Sequence, residues 1–181
     1  MDKRIILISG KKRSGKDFTG AMVVEKLTSR GYKVESLSYA KPLKDYTCTL
    51  LGLSPIELET RKNIDGSFER LFLQRLGVLF RDEVNTNYWV NTALDNMKKS
   101  HADVIIVTDC RFPNEIVAVG DVFTSLTMRI ESDDVDLNDT HESETALDEY
   151  PFDVHVFNEK DESLDSLIEV ILTDFNFKGK K

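Results

Sequence analysis

Apolar and polar positions change rhythm several times along this chain, and each change marks an element. Lys3 to Ile8, with the aliphatic run Ile5 to Ile8, reads as a short buried strand. Glycines and bases interrupt it between Gly10 and Lys16, after which a helical apolar pattern runs from Phe18 to Leu27. Gly31 closes that helix, Tyr32 to Ser38 alternates like a strand, and Pro42 opens a helix through Leu51 to Gly52. Ser54-Pro55 punctuates again, and helical spacing follows over about Ser67 to Val84 and about Tyr88 to Lys99. Asp103 to Asp109 is a second aliphatic strand, ending in an acid. Pro113 and Gly120 bracket a short helix, and Val122 to Ile130 and Asp153 to Phe157 read as strands. The final element is the clearest helix: Leu164, Leu167, Ile168, Ile171, Leu172 and Phe175 recur at helical spacing against Asp165, Glu169 and Asp174. Strands alternating with helical runs predict a parallel sheet covered on both faces, a single α/β domain.

Length adds that 181 residues suffice for one core. A 40% hydrophobic content is too high for a disordered chain, and the longest aliphatic runs span only four residues, Ile5 to Ile8 and Val104 to Val107, against the roughly 20 of a membrane helix. No secretory apolar region follows the N-terminus, so the cytoplasm, that of a host if the protein is viral, is the expected location. Cys48 and Cys110 fit neither a disulfide framework nor a zinc spacing and read as reduced packing residues. The net charge of −8 is a local property. Residues 1–130 hold 20 bases and 16 acids, whereas residues 131–165 hold one base and 14 acids. A mildly basic body of that kind can hold small anions, which makes nucleotides plausible ligands.

Gly10-Lys11-Lys12-Arg13-Ser14-Gly15-Lys16 fits G-x-x-x-x-G-K in the required place, after a strand and before a helix. In such a loop the glycines let backbone N–H groups converge on phosphate oxygens, the helix offers its positive end, and Lys16 reaches the β- and γ-phosphates. The usual Ser or Thr after the lysine is replaced by Asp17, followed by Phe18. Asp17 is left with three roles open: magnesium ligand directly, magnesium ligand through water, or proton acceptor. Arg13 lies three residues before Lys16, where thymidylate kinases as a family carry a loop arginine that serves the transition state.

The strand before Asp109 delivers that acid at its carboxyl end, a Walker-B-like carboxylate for magnesium, with Arg111 and Glu115 close behind. On the helix from about Ser67, Arg70, Gln74, Gly77 and Arg81 form one stripe and apolar residues cover most of the rest, so this helix is expected to be largely buried. Its stripe is either a narrow solvated face or the wall of a substrate cleft. Trp89, the only tryptophan, is either a core aromatic or a plane that stacks on a base.

These residues carry a family likeness. The run Ile8 to Asp17 resembles the phosphate loop of bacteriophage deoxynucleoside monophosphate kinases, including Asp17. Leu73-Gln74-Arg75-Leu76-Gly77, Tyr88-Trp89-Val90, Asp109-Cys110-Arg111 and Asp139-Thr140-His141-Glu142-Ser143-Glu144 are similar to further blocks of that family, in the same order. The loop, with Phe18, the Pro42-Leu43-Lys44 segment and the late Ser-Glu pair, also resembles animal-type phosphomevalonate kinases.

The likeness implies a three-layer P-loop fold, one kinase domain over residues 1–181, with a helical substrate-side segment at about 40–100 and an acidic lid-like segment at about 131–150. It implies phosphate contacts from Gly10, Lys12, Arg13, Ser14, Gly15, Lys16, Asp17 and Phe18. Acceptor contacts would come from Lys44, Arg61, Arg70, Gln74, Trp89, Asp109, Arg111, Glu115, His141 and Glu144. Arg13, Lys16, Asp17 and Arg111 would be catalytic, and Asp17 and Asp109 would organise magnesium. The expected reaction is transfer from Mg·ATP to a deoxynucleoside 5′-monophosphate, with phosphomevalonate as the alternative acceptor. No nucleic-acid or membrane partner is expected, and a homodimer is compatible with the likeness. A nucleotide switch is disfavoured, because Asn158-Glu159-Lys160-Asp161 matches the guanine-reading N-K-x-D only superficially. Residues 131–150 contain no Lys or Arg, so the lid arginines common in nucleotide kinases are missing there, leaving Arg13 and Arg111 to supply that charge.

Overall fold

The computed structural model describes residues 2–135 and 142–177. Two compact units divide the chain: unit 1 holds residues 1–37 and 99–181, and unit 2 holds residues 38–98.

Unit 1 is built on a five-stranded parallel sheet. Its strands are β1 (Arg4–Ser9), β2 (Val34–Leu37), β3 (Val104–Val107), β4 (Thr124–Glu131) and β5 (Val154–Phe157), in the spatial order β2-β3-β1-β4-β5. The central place of β1 follows from its composition. Ile5, Ile6, Leu7 and Ile8 are fully buried, and in a parallel sheet only a strand covered on both faces can bury such a run. Because side chains alternate, Ile6, Ile8, Val104, Ile106, Leu126, Met128 and Ile130 share one face. They pack with Val23 and Leu27 of α1 (Lys16–Ser29) and with Leu164, Ile168, Ile171 and Leu172 of α8 (Ser163–Asp174). α6 (Pro113–Gly120) buries Ile116 and Val119. The short edge strands and the covered faces satisfy the α/β expectation. α7 (Glu142–Thr145) is a single turn within the acidic segment.

Unit 2 is helical: α2 (Ala40–Leu51), α3 (Pro55–Lys62), α4 (Phe68–Leu79) and α5 (Tyr88–Lys99), the last reaching one residue beyond it. α3 was not expected from periodicity, and its origin is local. Ser54 accepts the Glu57 N–H while the Glu57 carboxylate accepts the Ser54 N–H, and Pro55 occupies the first turn. The single helix expected over 67–84 instead changes at Phe80 into a π-helical turn, Phe80–Val84, closed by Asn85 N–H donating to the Phe80 carbonyl at 3.0 Å. The expectation that α4 is largely buried also fails. It buries only Leu76 and Gly77, whereas Phe68 is 63% exposed and Leu79 51%. A unit of this size has too little chain to cover every face of one of its own helices.

Candidate active site

The carboxyl ends of β1, β3, β4 and β5 lead into the segments that form the site, which is where open α/β sheets bind ligands. Leaving β1, the chain makes the loop Gly10 to Gly15 before α1 begins at Lys16. Two of its glycines are required sterically. A Cβ on Gly10 would stand 2.4 Å from Ser14 Oγ and 2.6 Å from the Ile130 carbonyl. A Cβ on Gly15 would stand 2.1 Å from Asn158 Nδ2, and Gly15 has φ +90°. Arg13, with a side chain, also takes the left-handed conformation at φ 72°. Left-handed residues interleaved with helical ones form the concave N–H nest that binds anions. α1 has no side-chain cap at its start, so its first-turn N–H groups are available to a ligand. Ser14 Oγ is fully buried in the loop and has no hydrogen-bond partner among the described residues. Cradle, uncapped helix and orphaned hydroxyl together fit a bound phosphate group.

The loop is held from β5 by a residue the sequence reading set aside. Asn158, buried just after β5, donates from Nδ2 to the Ser14 carbonyl at 3.0 Å and accepts the Lys160 N–H at 3.0 Å. An Asn or Asp directly after a terminal strand, whatever its match to N-K-x-D, was the available signal.

On the other side Lys16 Nζ lies 3.6 Å from Asp17 Oδ2, and Thr108, the first residue after β3, donates its hydroxyl to Asp17 Oδ1 at 2.9 Å. Asp109 follows, half-buried. Among the described residues no three His, Cys, Asp or Glu side chains gather as a complete metal cage. Magnesium needs none, since it is held by one or two carboxylates with phosphates and water. The hard oxygen donors of Asp17 and Asp109 fit it.

The acidic segment is not simply solvated. Glu144 Oε1 pairs with Arg111 Nη1 at 2.5 Å, and its Oε2 accepts the Lys12 N–H at 3.2 Å. Asp148 pairs with Lys11 at 2.9 Å and with the buried Arg129 at 2.6 Å, and Arg129 in turn donates to Ser9 Oγ at 3.1 Å. Two carboxylates from this segment therefore neutralise cations at the loop and beside it. His141 lies outside the described residues. Glu115 is turned toward backbone, where its Oε2 accepts the N–H groups of Arg111 (2.6 Å) and Phe112 (3.0 Å) at the start of α6. It shapes the turn that carries Arg111. Burial, then the neighbouring Glu115 and Asp109, push the Cys110 thiol well above its ordinary value. Lys12, Arg13 and Phe18 are exposed. A cleft of about 370 Å³ at the ends of β4 and β5 is lined by Lys11, Arg129, Ser132, Asp148 and Phe157, among others.

In unit 2 the expected acceptor residues are distributed differently. Trp89 donates from Nε1 to the Gly77 carbonyl at 3.1 Å and joins an aromatic group with Tyr46, Phe80 and Tyr88. Gly77 is close to Leu43, whose methyl would be 3.3 Å from a Cβ there, so its small size serves the packing of α2 on α4. Lys44 pairs with Glu59, Arg61 with Glu57 and Glu69, and Arg70 donates to the Lys62 carbonyl. Gln74 is exposed.

The sheet order and the glycine cradle before α1 define an α/β fold with a P-loop, and the family of the chain makes it a phosphotransferase. The chain belongs to the phosphomevalonate kinase family, whose model matches residues 8–125. Among solved structures, TT1252 from Thermus thermophilus is similar with a TM-score of 0.53 at 15% identity, over 97% of this chain and 100% of that one. A sugar kinase from Janibacter sp. HTCC2649 gives 0.51 at 12% identity, over 97% and 95%. At such identities these structures share the fold. No curated protein matches the chain. Among the described residues no helix is long and apolar enough to cross a membrane.

Proposed function

We propose that the protein transfers the γ-phosphoryl group of Mg·ATP to the phosphate of a deoxynucleoside 5′-monophosphate, yielding diphosphates that are precursors for DNA synthesis. The observation that carries phosphoryl transfer is the loop itself: Gly10 and Gly15 in positions that exclude a side chain, uncapped α1, and Lys16 at its start. Lys16 and the loop amides hold the donor phosphates. Arg13 and Arg111 offset charge on the transferred group, a contribution that positioning and electrostatics make without covalent chemistry. Magnesium, when bound, neutralises the β- and γ-oxygens, and Asp17 and Asp109 are the carboxylates that would hold it.

One feature of unit 2 favours a nucleotide as acceptor. Its Tyr46, Phe80, Tyr88 and Trp89 form a partly exposed aromatic group, which suits a base. Membership of the phosphomevalonate kinase family favours phosphomevalonate instead. The deciding experiment measures ADP release from ATP with each of the four deoxynucleoside monophosphates and with phosphomevalonate. Turnover with at least one deoxynucleotide and none with phosphomevalonate is the expected result. The reverse pattern transfers the assignment to phosphomevalonate, and no ADP with any acceptor removes both.

A further inference from the structure

P-loop enzymes hold magnesium with a hydroxyl on the helix after the loop and a carboxylate at the end of a neighbouring strand. Here the helix position is Asp17, and Thr108 on the strand side carries a hydroxyl. The two are joined: Thr108 Oγ1 donates to Asp17 Oδ1 at 2.9 Å, across 91 positions of sequence. A second and independent observation shows that Thr108 is seated rather than draped. A Cβ on Gly20, one turn along α1 from Lys16, would stand 2.4 Å from Thr108 Cγ2. Gly20 is buried, and its bare Cα is the surface against which the threonine methyl lies. The methyl fixes where the side chain stands and the hydroxyl fixes Asp17, so one residue spans α1 and the end of β3. Asp17 is otherwise an exposed carboxylate, its side chain 77% accessible, with Lys16 at 3.6 Å from Oδ2. Without Thr108 it would be free to rotate into solvent.

We propose that Thr108 is a positioning residue that orients Asp17, the acid standing where the helix usually carries a hydroxyl, toward the nucleotide-bound divalent cation, while Asp109 keeps the strand-side place. Gly20 belongs to the same device. This rests on reading the loop as an Mg·nucleotide site. It adds a division of labour in which Asp17 faces the metal shell and Thr108 stands behind it. Groups behind metal ligands typically change metal affinity about 10–100-fold when removed.

The test uses the full chain and reads metal binding apart from turnover. Mn²⁺ is titrated into the enzyme–ADP complex and the free-ion signal followed by electron paramagnetic resonance, with ADP affinity in the absence of metal measured alongside. Thr108→Val keeps the methyl that faces Gly20 and replaces the hydroxyl with a second methyl of similar size. It should weaken Mn²⁺ binding to the complex about tenfold, while metal-free ADP affinity stays within about twofold of wild type. Thr108→Ser keeps the hydroxyl and should stay within a few-fold of wild type for Mn²⁺. Gly20→Ala, which pushes on the methyl, should weaken Mn²⁺ binding in the same direction and provides a second variant if Thr108→Val does not fold. Mn²⁺ affinity unchanged in Thr108→Val, or an equal loss of Mn²⁺ and metal-free ADP binding, overturns the proposal. Wild-type turnover with the acceptor panel is scored separately, so failure of the kinase reading is distinguishable from failure of this one.

Discussion

The contact between Gly15 and Asn158 gives the sharpest quantitative test of how the loop is held. Gly15→Ala faces two separate costs. The left-handed backbone at φ +90° disfavours a Cβ by about 1–2 kcal/mol. The new methyl would also lie 2.1 Å from Asn158 Nδ2, so Asn158 must withdraw and the buried Ser14 carbonyl loses its donor, costing about 1–3 kcal/mol more. The sum is about 2–5 kcal/mol, a drop in melting temperature on the order of 10 °C for a chain of this length. Asn158→Ala alone should cost about 1–3 kcal/mol, and Asn158→Asp more, because it sets a carboxylate oxygen against the Ser14 carbonyl. In the Asn158→Ala background the steric conflict has gone, and Gly15→Ala should cost only its backbone share of about 1–2 kcal/mol. Urea denaturation of wild type, both single variants and the double variant measures the coupling, expected at about 1–3 kcal/mol. Strict additivity within about 0.5 kcal/mol would refute the claim that Asn158 is what the glycine makes room for.

Other consequences follow from individual side chains. Lys16→Ala and Arg13→Gly should each lower turnover with the preferred acceptor at least about a thousandfold in a coupled ADP assay. Arg13→Gly should cost no stability, since its φ of 72° suits glycine; a destabilised variant would show the arginine side chain to be structural. Cys110 is 1% exposed and its thiol is held protonated by burial, so a thiol reagent at pH 8 should modify Cys48 alone in the native protein and both cysteines after denaturation. Glu169 is held below its ordinary value first by its hydrogen bond from Arg30, with Lys26 adding, and Asp134 by Lys160. Carboxylates lowered on folding add stability that is complete above their unfolded value and is lost as pH falls through the folded one. Stability should therefore decline below about pH 4, and Glu169→Gln should flatten part of that limb in acid titrations followed by circular dichroism.

Much of the chemistry was legible because it is local. Gly10 to Lys16 is a contiguous motif between a strand and a helix, and it lies between β1 and the first turn of α1. α5 and α6 occur where Tyr88 to Lys99 and Pro113 to Gly120 indicated, because periodicity and proline/glycine punctuation act within one element. α3 escaped notice because its signal is a capping box over a short, mostly exposed segment rather than an apolar stripe. The wide apolar arc of α4 suggested burial that the structure does not provide: hydrophobic composition says what a residue tolerates, and the amount of surrounding chain says what is covered. The composition of 131–150, nine acids with no Lys or Arg, reads as a solvated acidic loop that lacks cations. Glu144 and Asp148 show two of its acids paired with Arg111, Lys11 and Arg129.

Taken alone, the sequence determined which segments become buried strands and which turn can cradle a phosphate. Both depend on interactions between residues a few positions apart. Only the tertiary structure decided that Asn158 supports Ser14 from 144 positions away, that Glu144 bridges Lys12 and Arg111, and that Thr108 donates to Asp17 from 91 positions away. A parallel sheet gathers the carboxyl ends of strands distant in sequence along one edge. Hydrophobic periodicity records that a strand is covered. It holds no information about which strand ends become neighbours, and at this site those neighbours set the hydrogen bonds that orient the loop and its acids.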